Sequence, residues 1–222
     1  MPVTLPVLLD YLHGGARTWE VLVVDDGSED QTAAVVREFA ADEPQLRLLE
    51  EPHRGKGGAV RAGMLAARGR YRFLCDADFS MPVGELERFL PPYLHGWDIA
   101  IATREGPGAV RVGEPPHRHF MGRVFNGLIQ LLLLPGIEDS QCGFKCFTDR
   151  AAELLFPRLT VDGFAFDVEL LYLASQQGMR IVEVPITWHY MDASSVKPVR
   201  DTWNMGRAAL EIRLGAMLGR YK

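Results

Sequence analysis

Two aspartates with one residue between them, Asp76 and Asp78, end the aromatic and aliphatic run of "YRFLCDADFSMP". Carboxylates this close repel unless something positive sits between them. Hard oxygens at a strand tip suit Mg2+ or Mn2+, with substrate phosphates and waters completing the shell. The competing reading is a helix start, with Ser80 and Pro82 as its N-terminal signal.

Three further clusters carry chemistry of the same kind. In "VVDDGSEDQT" (23–32), Asp25 and Asp26 end a strand and Gly27 allows a tight turn. These residues serve turn and cap chemistry, or they accept hydrogen bonds from a nucleotide base or ribose. In "HRGKGGAV" (53–60), three glycines surround Lys56 ahead of a helix, a loop that a phosphate can approach. It lacks the spacing and the Ser/Thr of a Walker A motif. Finally Arg104, Arg111, Arg118 and Arg123, with His117 and His119, crowd one stretch of an otherwise acidic chain. They form a solvated basic loop or, beside a phosphate site, clamps that grip phosphate bidentately.

The elements that must position these groups alternate through the first half. Strands read at "WEVLVV" (19–24), "LRLLE" (46–50), "YRFLC" (71–75) and "WDIAIA" (97–102), with helices near 32–41, 58–67 and 83–94 between them. Strands without polar alternation, separated by helices, indicate a parallel sheet covered on both faces. Function in such sheets sits at the carboxyl ends of the strands, where the acidic tips fall. From Thr103 to His119 no period survives, as in a functional loop. Helices are then expected at 120–134, 150–156, 166–176 and 201–220, and a late strand at 180–190 broken by Pro185.

The 222 residues fit one α/β domain, or one domain plus a small appendage, and a net charge of −5 argues against a nucleic-acid partner. The positive charge is local: Lys197 to Lys222 holds six Lys/Arg and two Asp/Glu. Within that tail Trp203, Leu210, Leu214, Met217 and Tyr221 form one helical stripe, flanked by Arg207, Arg213 and Arg220. A helix lying in a membrane interface has this layout, and so does a docked helix whose arginines snorkel. The longest apolar run is too short to span a bilayer. Three cysteines, Cys75, Cys142 and Cys146, are too few and wrongly spaced for a disulfide framework or a zinc site. They point to a reducing, cytoplasmic compartment.

Taken in order, "VVDDGSEDQT", "GKGGAVRAGM", "DADFSMP", "ATR", "DSQCGFKCF", "FAFDVELLYLA" and "EVPITW" resemble family-2 glycosyltransferases of the GT-A fold. The nearest group is the dolichyl- or polyprenyl-phosphate hexose synthases, on the dolichyl-phosphate β-glucosyltransferase branch. The resemblance runs from about Glu20 to Lys222. It implies an α/β fold with a mostly parallel, Rossmann-like sheet flanked by helices, a glycosyltransferase domain over 1–200 and an amphipathic, membrane-interfacial helix over 201–222. It also implies a start truncated relative to the family. Relatives open on a strand like "VxVVIPAYNE", whereas "MPVTLPVLLDYL" looks like the helix after it.

By the same resemblance Asp25, Asp26 and Lys56 meet the nucleotide of a UDP-glucose or GDP-mannose donor, and Asp139, Gln141 and Gly143 border its sugar. Asp76 and Asp78 hold the Mg2+ or Mn2+ ion and act in catalysis with Arg104 and Arg111. Arg104, Arg111, Arg118 and Arg123 bind the phosphate of a lipid acceptor at the membrane surface. In "SSVKPVRD" Ser195 replaces a lysine of the relatives, and Lys197, two positions on, joins the acceptor contacts.

The implied reaction is an inverting, metal-dependent transfer of a hexose, glucose from UDP-glucose, onto a polyprenyl or dolichyl phosphate. A lipid phosphate is anionic near neutral pH and attacks without a strong base, so catalysis needs in-line positioning and stabilisation of the leaving diphosphate. That agrees with a chain rich in Asp and Arg and lacking a nucleophile–base pair. The rival readings are a family-2 transferase acting on a polysaccharide or glycan, nucleotidyl transfer, and a truncated chain that binds without efficient catalysis.

Overall fold

The computed structural model describes residues 1–78, 80–191 and 198–221, and for 198–203 the backbone alone. Helix α1 (Thr4–His13) leads into strand β1 (Val21–Asp25), helix α2 (Thr32–Asp42), strand β2 (Leu46–Glu50) and helix α3 (Lys56–Ala66). Strand β3 (Tyr71–Cys75) is followed by a short 3-10 stretch, Val83–Phe89, where the apolar spacing predicts a full helix. Pro91 and Pro92 lie just beyond it and cannot extend a helix ladder. Strand β4 (Ile99–Thr103) is buried along its whole length, as its unbroken apolar run requires.

The aperiodic stretch contains strand β5 (Val110–Val112) and the first turn of helix α4 (Pro116–Leu132), which starts on proline, the residue best tolerated there. Strand β6 (Phe144–Thr148), helix α5 (Asp149–Leu155), helix α6 (Phe166–Gln176), strands β7 (Ile181–Pro185) and β8 (Thr187–His189) and helix α7 (Pro198–Met217) complete the order. Thr148 caps α5 by accepting the Ala151 N–H.

Among the described residues three of the five strand pairings are parallel: β1 with β2, β4 with β7, and β5 with β8. The exception is β6, which lies between β3 and β4 and runs antiparallel to both. Its register places Phe144 opposite Cys75 and Lys145 opposite Ile101. The start of β6 therefore meets the ends of β3 and β4, and residues 139–143 arrive where Asp76 and Arg104 leave the sheet. This reversal builds the site.

The main core packs β4, β6, α5 and α6, with Ala209 and Ile212 of α7 in the same cluster. Nine consecutive residues of α6, Phe166–Ala174, are buried, including Asp167 and Glu169. Glu169 is satisfied by the Thr160 N–H and hydroxyl, the Val161 N–H and the Tyr221 hydroxyl, all within 2.9 Å. The loop so held matters elsewhere, because the Asp162 carbonyl accepts the Gly57 and Gly58 N–H groups at the head of α3.

Candidate active site

A cavity of about 510 Å3 opens at this sheet edge. On one wall stand Asp76 and Asp78, each just past the end of β3, with Lys56 from the first position of α3. Lys56 Nζ lies 2.7 Å from Asp76 Oδ1. Burial pulls the lysine's pKa down, but the charges of Asp76 and Asp167 more than offset it, so the ammonium is held charged above its usual range. Asp78 turns back on its own loop and accepts the Ser80 N–H.

The opposite wall carries the arginines. Asp139 is buried and grips Arg104 through both carboxylate oxygens, at 2.7 and 2.8 Å, and also accepts the Arg104 backbone N–H. Burial would raise the Asp139 pKa, yet the Arg104 guanidinium outweighs it and holds the carboxyl below its usual range. Glu183 of β7 accepts the N–H groups of Glu138 and Asp139 and so fixes the approach to that pair. Arg111 is held between Glu105 and Glu114, and Arg123 contacts Glu138 and Glu105. Arg118 differs: it stacks on Tyr190, 5.2 Å from the ring centroid, and no carboxylate pairs with it among the described residues. Arg104 and Arg111 share Trp188, which the β5–β8 register sets opposite Arg111.

Gln141 and Gly143 line the same cavity between the two walls. The structure thus brings together Lys56, Asp76 and Asp78 with Arg104, Arg111, Arg118 and Arg123, and with Asp139, Gln141 and Gly143. It leaves Asp25 and Asp26 off the lining. Asp25 is buried and accepts the Ser28 N–H, which is the turn-forming role. Asp26 accepts the Arg54 and Gly55 N–H groups and contacts His53, so it pins the glycine loop that presents Lys56. Lys197 lies outside the described residues.

Three groups of site residues escape the sequence reading. Asp167 lines the cavity from α6, buried beside Lys145 Nζ at 2.6 Å. Burial raises its pKa more than Lys145 and Lys56 lower it. Its signal was available: a carboxylate inside an unbroken apolar helix needs a partner. Glu105, Glu114 and Glu183 escape because their partners are distant in sequence or hidden in an aperiodic loop. Trp188 sits on a strand too short to show a period, and Tyr190 lies just past its end.

The donor set at Asp76 and Asp78 fits a divalent ion. Two hard carboxylates at a half-open strand end suit Mg2+ or Mn2+, which retain waters and take substrate phosphates as further ligands. Among the described residues no group of three or more His, Cys, Asp or Glu could hold a metal ion, so an ion on these two carboxylates would need further ligands from substrate and water. Lys56 against Asp76 is itself a cation at that spot.

The cavity borders an apolar surface. On α4, Met121 and Phe125 face the cavity, while Phe120, Val124, Leu128 and Leu131 are exposed at helical spacing. α7 packs against α4 and exposes Leu210, Leu214 and Met217. Tyr221, expected in that stripe, instead lies past the helix end, 5% exposed and bonded to Glu169. The Trp203 side chain is outside the described part. No helix of the described residues is long and apolar enough to cross a membrane.

Comparison with known proteins gives a consistent picture. The model of the family described as Glycosyl transferase family 2 matches residues 4–156. The chain is 40% identical over 187 residues to a dolichyl-phosphate beta-glucosyltransferase of Trichomonas vaginalis, covering 81% of this chain and 56% of that one. It is 34% identical to the mouse protein of the same description, covering 100% of this chain and 73% of that one. A third relative, from Dictyostelium discoideum, is 34% identical, and the chain spans 65% of its length. Among solved structures, mannosyl-3-phosphoglycerate synthase from Rubrobacter xylanophilus superposes with a TM-score of 0.68 at 19% identity, over 99% of this chain and 70% of that one. A glucosyl-3-phosphoglycerate synthase from Mycobacterium tuberculosis, in complex with Mn2+, UDP and glucosyl-3-phosphoglycerate, gives 0.65 at 18%, over 99% and 75%. These likenesses show an α/β fold of the GT-A kind.

Proposed function

The chain belongs to glycosyl transferase family 2, and from that membership we propose that it transfers glucose from UDP-glucose to the phosphate of a dolichyl or polyprenyl lipid, with inversion at the anomeric carbon. The observation that carries this reading is the single cavity with a carboxylate–lysine wall, an arginine wall and an apolar helix face at its rim. The printed names of the relatives support the substrate, and the Mn2+ and UDP-glucose in a solved neighbour support the donor and the ion.

The donor's nucleotide lies toward the loop that Asp26 and Asp162 pin, and its diphosphate lies at the Asp76 end of the cavity. An Mg2+ or Mn2+ ion on Asp76 and Asp78 would supply positive charge to that diphosphate as it leaves. Asp139, Gln141 and Gly143 border the sugar between the walls. On the far wall Arg118, paired with no carboxylate among the described residues, offers its guanidinium to the acceptor phosphate, and Arg104 and Arg111, stacked on Trp188, complete the positive rim. The acceptor, with a second pKa of about 6, is already largely dianionic at pH 7. It needs orientation more than deprotonation, and attack opposite the leaving diphosphate inverts the centre.

The apolar stripes of α4 and α7 would rest in the membrane interface, so that a lipid tail leaving the cavity past Met121 and Phe125 stays in hydrocarbon. The free thiols of Cys75, Cys142 and Cys146 agree with a site on the cytoplasmic face.

The test incubates the purified protein with UDP-glucose, Mn2+ and dolichyl phosphate. β-Linked dolichyl-phosphate-glucose and UDP are expected in equal amounts. Release of pyrophosphate, or transfer to a glycan but never to the lipid, overturns the reading.

A further inference from the structure

Lys56 stands between two carboxylates that differ in what else they hold. Asp76, on its open side, has Lys56 Nζ at 2.7 Å. Asp167, 3% exposed, lines the same cavity and is the second strongest anion acting on Lys56. Lys145 Nζ lies 2.6 Å from Asp167 Oδ1 and also donates to the Cys142 carbonyl at 2.6 Å. A carboxylate offers about four lone-pair sites, so Asp167 keeps acceptor capacity beyond the contact it makes with Lys145.

We propose that Lys56 is an exchangeable counter-cation: it neutralises Asp76 while no divalent ion is bound, and it moves to Asp167 when the ion takes Asp76. This rests on the reading of Asp76 and Asp78 as the metal pair. A dication and an ammonium cannot both contact one carboxylate oxygen without strong repulsion. The lysine stem is flexible and rooted at the first position of α3, and the next residue, Gly57, packs so closely on Phe166, the neighbour of Asp167, that a Cβ there would lie 2.7 Å from the Phe166 Cβ. Both ends of the move are favourable. The ion offsets the Asp76 charge, a lesser influence disfavouring ionised Asp167, and the arriving ammonium adds a second cation beside Lys145. Ion entry is thereby linked to a rearrangement of charge inside the donor site, and Asp167 is a positioning residue rather than a ligand.

The test measures Mn2+ binding without nucleotide, by electron paramagnetic resonance of free Mn2+, for the unmodified protein and for K56M, D167N, K56M/D167N and D76N. K56M is expected to bind Mn2+ at least tenfold more tightly. D167N is expected to weaken binding several-fold while Lys56 is present and to change it less than twofold in the K56M background. Unchanged or weaker binding by K56M overturns the exchange. An equal effect of D167N in both backgrounds overturns Asp167 as the receiving group. If Mn2+ binding is absent, or indifferent to D76N, the metal reading fails and the exchange with it. That outcome is separate from a D76N-sensitive site that K56M does not improve. Should D167N alone not fold, K145M/D167N removes the buried pair together and carries the same comparison.

Discussion

Gly143 and Asp76 compete for one volume. A Cβ built on Gly143 would lie 3.0 Å from Asp76 Oδ1 and closer still to its Cγ and Oδ2. The Asp76 N–H donates to the Gly143 carbonyl at 3.1 Å, so the two backbones cannot part to make room. The glycine is what allows a carboxylate to stand at the end of β3 facing the cavity. In Gly143→Ala the carboxylate must swing away. A misplacement of about 1 Å costs roughly 100-fold in rate. Glucosyl transfer should fall by about that factor, with the melting temperature nearly unchanged, and a steady-state assay beside a thermal melt separates the two.

Asp139 and Arg104 make a stability prediction. Removing one partner of a buried ion pair costs about 3–5 kcal/mol, because the other charge is left uncompensated. Asp139→Ala should lose that much in urea unfolding at pH 7. The pH dependence has a definite sign: the folded pKa of Asp139 is depressed, so its contribution is present above the unfolded value and fades as pH falls through the folded one. Between pH 5 and pH 2 the unmodified protein should therefore lose stability more steeply than Asp139→Asn. Parallel curves would contradict the assignment.

Arg118 makes a kinetic one. A charge-assisted hydrogen bond is worth about 1.5–3 kcal/mol. Arg118→Ala should raise KM for the lipid phosphate by about tenfold or more and leave KM for UDP-glucose within about twofold. Arg118→Lys should recover part of the loss, since it keeps the charge and not the fork. Equal effects on both substrates would move Arg118 to the donor side.

The helix faces can be tested apart from catalysis. Val124, Leu131 and Leu214 are 58%, 83% and 58% exposed, so glutamate there should alter folding stability by no more than about 0.5 kcal/mol. The triple variant should nevertheless stop sedimenting with anionic liposomes. Reversing Arg207, Arg213 and Arg220 to glutamate should weaken the same binding by about 1 kcal/mol per charge. Unaltered sedimentation in both variants would remove the membrane contact from the proposal.

The strand-by-strand order of the first half was legible because each element announces itself locally. "LRLLE" and "YRFLC" lie within the bounds of β2 and β3, and "FDVELLYLASQ" spans α6. β6 was not legible as a strand. "FKCFT" has no alternation, since both its faces are buried, and its direction depends on long-range pairing with β3 and β4. That Lys56, Asp76, Asp78 and the arginines line one cavity was legible for the same reason, since each stands on a local motif. Glu183 owes its role to amides 44 and 45 residues away, of which local pattern carries no trace, and for Asp167 the apolar run shows a buried carboxylate but not that Lys145 of β6 is its partner. Tyr221 shows a related limit. Its spacing fits the α7 stripe, but the chain turns at Gly219, with φ +82°, and tucks the ring inward.

Glu169 has a consequence that spans the whole chain. One buried carboxylate fastens Tyr221, and also the loop whose Asp162 carbonyl receives the amides of Gly57 and Gly58. Residues from the first third and the last turn of the chain thus share one anchor. In native-state hydrogen exchange the Gly57 and Gly58 protons should open in the same cooperative unit as the amides after α7, and Glu169→Gln should accelerate them together.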